Sequence, residues 1–151
     1  HRHGPHGRAA GEEALVLASI VEKETGVDAE RARVAAVFIN RMRKGMRLQS
    51  DPTVVYGLTL GKYELGRALT FDDLRRATPY NTYLIKRLPP TPITNPGRAA
   101  LNAVLNPVTS DELYFVADGT GGHVFAKTFK EHTANVIRWR NLQRKKRFIE
   151  D

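Results

Sequence analysis

The sequence predicts an α+β fold: one helix-dominated domain carrying a small antiparallel β-hairpin. Apolar residues recur at helical spacing through the first third of the chain and again near its end. Two short β-type runs, Leu113–Val116 and His123–Phe125, flank a Gly-rich turn. A chain of 151 residues with 41% hydrophobic and 26% charged content is one soluble domain's worth, long enough to bury a core.

The first helix is expected from about Glu12 to Thr25, ended by Gly26. Asp28 is expected to N-cap a second helix that runs to Lys44 and stops at Gly45. On it Val34, Val37, Phe38 and Arg41 share one side, while Arg33, Asn40 and Arg43 face outward. So short a connection makes the pair a helix hairpin. Pro52 suits the first turn of a third, short helix, capped by Ser50 or Asp51 and carrying Val54, Val55 and Tyr56. Gly57 to Gly66 reads as loop or a weak hairpin, and Thr70 caps another short helix through Arg76. Thr78 to Pro96 is rich in Pro, Thr and Asn without helical period; an irregular stretch of that length in a compact domain usually serves function.

Pro96 to Leu105 forms a further helix, ended by Asn106-Pro107. Asp118 to Gly122 turns the hairpin and is no phosphate loop, because no Lys-Ser or Lys-Thr pair follows it. A terminal helix from about Phe129 to Phe148 closes the domain through Val136, Ile137 and Trp139. Residues 1–11, opening with His1-Arg2-His3-Gly4-Pro5-His6-Gly7, read as a disordered linker or expression scar outside a single domain of residues 12–151.

Cysteine is absent, which excludes disulfides and thiolate metal sites. No set of His, Asp and Glu has metal-ligand spacing, so neither metal nor other cofactor is expected. No apolar run approaches the ~18 residues of a membrane helix. The net charge of +8 is concentrated late, in Arg138, Arg140, Arg144, Lys145, Lys146 and Arg147. Nucleic acid is not the expected partner, since neither zinc-finger spacing nor an aromatic RNA-binding strand is present. An anionic polysaccharide, an anionic membrane face or a solvated helix flank accounts for the charge.

Glu24 carries the chemistry. In a helix Leu17, Ile20, Val21 and Glu24 fall on one face, and Glu22 points to nearly the opposite side, toward water. A carboxyl on an apolar stripe loses hydration, and its protonated form is favoured. A general acid for glycosidic cleavage near neutral pH is made in this way. The plainer alternative is a helix-end carboxylate that reaches solvent or pairs with an Arg.

The stretch Ala18 to Thr25, Val37 to Arg41 and Leu48-Gln49-Ser50-Asp51-Pro52-Thr53-Val54-Val55-Tyr56-Gly57 resembles the MltG-type (YceG-like) endolytic murein transglycosylases. So do Pro79-Tyr80-Asn81-Thr82-Tyr83, Leu88-Pro89-Pro90, Asn95-Pro96-Gly97, Leu113 to Gly119 and Gly121 to Phe125, in the same order along the chain. The resemblance implies cleavage of the β-1,4 bond between N-acetylmuramic acid and N-acetylglucosamine, leaving 1,6-anhydro ends, with Glu24 at the catalytic position. It implies peptidoglycan strands as substrate and peptidoglycan synthases as neighbours. It also implies a location on the periplasmic face of the inner membrane, through an anchoring segment and a LysM-like module that this chain lacks. A looser likeness to the lysozyme-like lytic transglycosylases rests on Glu24-Thr25, Leu48-Gln49 and Tyr80-Asn81, with Pro79 where those enzymes have Ala. It implies a lysozyme-like active-site helix hairpin.

Gln49, Asn81 and Asn95 offer amides to grip N-acetyl and hydroxyl groups, and Tyr56, Tyr80, Tyr83 and Phe125 offer flat faces to sugar rings. Taken singly, each reads as readily as a turn Asn or a packed aromatic. Asp51 is expected as an N-cap, with a second carboxylate near Glu24 as the sharper reading. His123 lines the groove or sits exposed at the hairpin end, and His132 is expected to be structural. The rival to an enzyme is a non-catalytic basic module that binds glycan or nucleic acid.

Overall fold

The computed structural model describes residues 10–150, with side chains described from 11 to 146. The expected linker therefore lies outside the described residues except at Ala10 and Gly11, which open the first helix. The order is α1 (Ala10–Glu24), a 3-10 turn (Asp28–Glu30), α2 (Arg31–Arg43), α3 (Asp51–Thr59), α4 (Phe71–Arg75), α5 (Arg98–Leu105), β1 (Tyr114–Ala117), β2 (His123–Ala126) and α6 (Phe129–Glu150). The helix-dominated α+β prediction holds. The two strands pair antiparallel, Tyr114 opposite Ala126 and Ala117 opposite His123.

The core forms where α1 lies against α2 and α5. Val16, Leu17, Ile20 and Val21 of α1 bury against Val34, Ala35 and Phe38 of α2 and Ala100 and Ala103 of α5. The small alanines let the helix backbones approach closely, and each large side chain so buried contributes about 1.5–3 kcal/mol. The irregular 78–96 segment, free of helix as expected, covers this core with Leu88 and Ile93. Ser19 stitches it down: its hydroxyl donates to Val16 O (2.6 Å) and accepts from Ile93 N (3.0 Å).

Local chemistry explains where the elements depart from expectation. Asp28 caps no α-helix; it begins the 3-10 turn, and its carboxylate pairs with Arg31. α3 continues through Gly57 to Thr59, so the expected loop starts later. Glycine is required there, because a Cβ on Gly57 would stand 2.3 Å from Thr78 Oγ1. Leu60, left-handed at φ 54°, then ends the helix. Thr70 does cap α4, in a reciprocal box with Asp73. α5 begins at Arg98 rather than Pro96, behind extended Gly97.

Candidate active site

Glu24 is the last residue of α1 and opens into a cleft of about 350 Å³. The cleft lies between the α1–α2 hairpin, the 48–51 loop and the β-hairpin, and Glu24, Arg41, Gln49, Asp51, Tyr83 and His123 are among its walls. Glu24 is only partly shielded from solvent, yet its carboxyl is sunk among protein atoms; the one accounts for access, the other for acidity. Burial pushes its pKa from 4.5 up to about 7, with the nearby negative charge of Asp51 adding to the rise. Ser50 and Arg41 pull the other way. Ser50 Oγ is sealed from solvent, has no well-formed hydrogen bond, and favours the ionised form of Glu24 beside it.

Glu22, on the other side of the helix, is not left to water. It is half-buried, and its carboxylate accepts the Gly97 N–H (2.7 Å) ahead of α5. The α1 period thus gives two nearby carboxyls different work: Glu22 ties α1 to α5, and Glu24 faces the cleft.

Asp51 is not the cap. Ser50 holds the N-cap position, without a side-chain bond, and Asp51 starts the helix with its carboxylate accepting the Tyr83 hydroxyl at 2.6 Å. The sharper of the two sequence readings therefore describes it: a second carboxylate in the cleft of Glu24. Burial first, and then that hydrogen bond, keep the Tyr83 phenol protonated. Gln49 is left-handed at φ 54°, an uncommon state for a residue with a side chain. Its backbone N–H bonds Thr82 O (3.2 Å), while the Thr82 hydroxyl accepts Ser50 N–H (2.8 Å). Thr53 and Thr82 share a further buried hydroxyl contact of 2.7 Å, so the loop is pinned behind the wall that Gln49 forms.

Other expected contacts lie elsewhere. Asn81 is buried with its amide fully used: Nδ2 donates to Leu74 O and Arg76 O (both 2.9 Å), and Oδ1 accepts Tyr83 N–H (2.9 Å). It shapes the loop that carries Tyr83. Tyr56 and Tyr80 meet edge to face at 4.8 Å, and Tyr80 bonds Thr91, both away from the Glu24 cleft. Asn95 is exposed and lines none of the cleft. Phe125 packs on Phe115 and under the Arg33 guanidinium (4.1 Å), in an adjoining cavity that shares His123 and Ala117 with the cleft.

Sequence reasoning passed over Arg41, Ser50, Phe115 and His132 as site residues. All but Ser50 line the cleft; His132 stacks on Tyr114 at 4.9 Å, and burial lowers its pKa. Arg41 had a signal, a cation on the buried side of α2. It donates to Leu113 O (2.6 Å), Arg47 O (3.0 Å) and Leu48 O (3.3 Å). Among the described residues no group of three or more His, Asp and Glu is placed to hold a metal ion.

The chain matches the model of the YceG-like family over residues 5–138. It belongs to that family. This YceG-like chain is 46% identical over 118 residues to the endolytic murein transglycosylase of Bacillus subtilis (strain 168), covering 78% of itself and 32% of that protein. It is 38% identical over 128 residues to the endolytic murein transglycosylase of Streptococcus pneumoniae serotype 2, covering 82% of itself and 23% of that protein. The chain thus spans a third or less of the length of these relatives. A crystal structure of a YceG-like protein from Listeria monocytogenes superposes with a TM-score of 0.75 at 44% identity, covering 82% of this chain and 39% of that one. A likeness that close in sequence and shape identifies a shared fold.

Proposed function

We propose that this YceG-like chain is a lytic transglycosylase that cleaves peptidoglycan strands between N-acetylmuramic acid and N-acetylglucosamine, leaving 1,6-anhydro-muramyl ends. The observation that carries the reading is the place of the Glu24 carboxyl, sunk among protein atoms at the wall of a cleft it shares with Gln49, Asp51 and Tyr83, where burial pushes its pKa up to about 7. Protonated, Glu24 gives its proton to the glycosidic oxygen as the bond from C1 breaks. As a carboxylate it then takes the proton of the muramyl C6 hydroxyl while that oxygen closes on C1 of the same sugar. The proton count returns to its start, and no water enters. The attacking oxygen belongs to the substrate, so its effective concentration is high. Tyr83, kept protonated, and Gln49, held at the cleft wall, supply the polar contacts for the sugar nearest Glu24.

Such strands lie outside the inner membrane, so the reading puts the chain on its periplasmic face. No described helix is long and apolar enough to cross a membrane. Anchoring and cooperation with peptidoglycan synthases are part of the same proposal, and rest on the resemblance of the sequence motifs alone.

Digestion of purified peptidoglycan followed by mass spectrometry of the released fragments tests the reaction. Anhydro-muramyl ends that vanish with Glu24→Gln and survive Glu22→Gln are expected. Reducing ends would replace this reading with hydrolysis, for which Asp51 would be the second carboxylate. Strands bound but never cut would leave a binding module.

A further inference from the structure

Glu30 is the residue the N-terminus of α2 does not use: it stands at the N-cap position without a capping bond. Its carboxylate reaches across to the β-hairpin instead. Oε2 accepts the backbone N–H of His123 (2.9 Å), and Oε1 meets His123 Nδ1 (2.8 Å). Both side chains are largely buried, at 15% and 18% exposure. The approach depends on Gly122, where a Cβ would stand 2.9 Å from Glu30 Oε2. Asp118, the other carboxylate nearby, is turned to Thr120, whose N–H and hydroxyl both bond Oδ1.

The clamp fixes more than the ring's position. An ionised carboxylate only accepts, so the ring nitrogen facing it carries the hydrogen. In the neutral ring Nε2 is then a bare acceptor. No described group hydrogen-bonds Nε2, and it is not sealed from solvent; His123 itself lines the cleft of Glu24. Phe115 and Phe125 stand edge-on to the imidazole at 5.3 and 6.4 Å, which keeps it from turning.

A locked acceptor discriminates between ligand groups. A hydroxyl donates or accepts as required and does not need one. An amide N–H only donates, and loses its partner if the ring tautomer inverts. We infer that Glu30 sets the His123 tautomer so that Nε2 accepts an amide N–H of the bound strand beside Glu24. His123 is thereby a substrate-binding residue and Glu30 a positioning residue. The inference rests on the cleft being the strand's binding site. Amide N–H groups come from the acetamido substituents of the sugars and from the stem peptides.

Glu30→Gln is the decisive variant. The backbone N–H of His123 still claims the side-chain oxygen, so the new amide NH2 faces Nδ1 and forces the hydrogen onto Nε2. Nitrogen-15 spectra of the ring, assigned with His123→Ala, are expected to show hydrogen on Nδ1 in the native chain and on Nε2 in the variant. KM for peptidoglycan is expected to rise about tenfold with kcat little changed, as for a lost hydrogen bond to an unsatisfied donor. His123→Ala is expected to raise KM similarly, and the double variant no further. Repeating the measurement on strands stripped of stem peptides identifies the donor: an effect that persists assigns the acetamido group, one that disappears assigns the peptide. The same affinities measured in a Glu24→Gln background answer the question even if the chain cuts nothing, so the two readings fail separately. Hydrogen on Nε2 in the native ring, or strand affinity unmoved by both Glu30→Gln and His123→Ala, overturns the inference.

Discussion

Tyr83 donates its hydroxyl hydrogen to Asp51 across 2.6 Å, and both side chains line the cleft into which Glu24 opens. The bond joins the irregular 78–96 segment to the start of α3. It also fixes the Asp51 charge where it opposes ionisation of Glu24. The acidity of the proposed acid is therefore set partly by a pair 32 residues apart in the chain.

Replacing Asp51 by Asn removes a charge that raises the Glu24 pKa, so Glu24 loses its proton at lower pH. Activity that needs protonated Glu24 falls as pH rises through about 7 in the native chain, and the fall is expected to move to lower pH in Asp51→Asn. A pH–rate profile of strand cleavage reads the shift; an unmoved basic limb would show that Asp51 does not act on Glu24. Tyr83→Phe keeps the charge and removes one hydrogen bond, and about a tenfold loss of kcat/KM is expected.

Glu24 itself is expected to weaken the fold it serves. Its pKa is raised from 4.5 to about 7, chiefly by burial, so between those values the folded chain keeps a proton that the unfolded chain releases. The folded chain binds more protons there, and stability falls as pH rises across that window, by about 3 kcal/mol at most. Glu24→Gln removes this dependence. Its melting temperature is expected to exceed the native one by roughly 5–10 °C at pH 8 and to match it near pH 4. Equal melting temperatures at pH 8 would mean that the carboxyl is not desolvated.

What could be read from the sequence was local. The face of α1 that carries Leu17, Ile20, Val21 and Glu24 follows from helical period alone, and the Thr70 cap and the β-hairpin follow from residues within a few positions of one another. The pairs that complete the cleft are distant in sequence. Asp51 with Tyr83 and Glu30 with His123 depend on how the loops cross, so Asp51 read as a cap and Glu30 drew no notice. Asn81 misled for the converse reason. An amide in a polar loop looks available, and its engagement by Leu74 O and Arg76 O depends on how the chain folds back after α4.

Asn81 accordingly carries a stability prediction. Asn81→Ala leaves two carbonyls and the Tyr83 N–H, all partly buried, without their side-chain partner, and a loss of about 1–3 kcal/mol is expected. Urea unfolding measures it through the midpoint at constant slope. An unchanged midpoint combined with weakened strand binding would instead make the Asn81 amide a substrate contact.

Arg41 separates structure from acidity. Its guanidinium reaches three backbone carbonyls on two segments and lies 5.0 Å over the Tyr114 ring, and its charge lowers the Glu24 pKa. Arg41→Met removes the fork and the charge together. A stability loss of about 3 kcal/mol is expected, and the fall of activity should move to higher pH, opposite in sign to Asp51→Asn. Arg41→Lys keeps a charge on a shorter, single-headed donor, which cannot span the three carbonyls. It is expected to lose stability as Arg41→Met does while keeping a pH profile close to native. Urea midpoints and pH–rate profiles on the same two variants decide the matter. If both profiles coincide with the native one, the cation holds the loops together and does not tune Glu24.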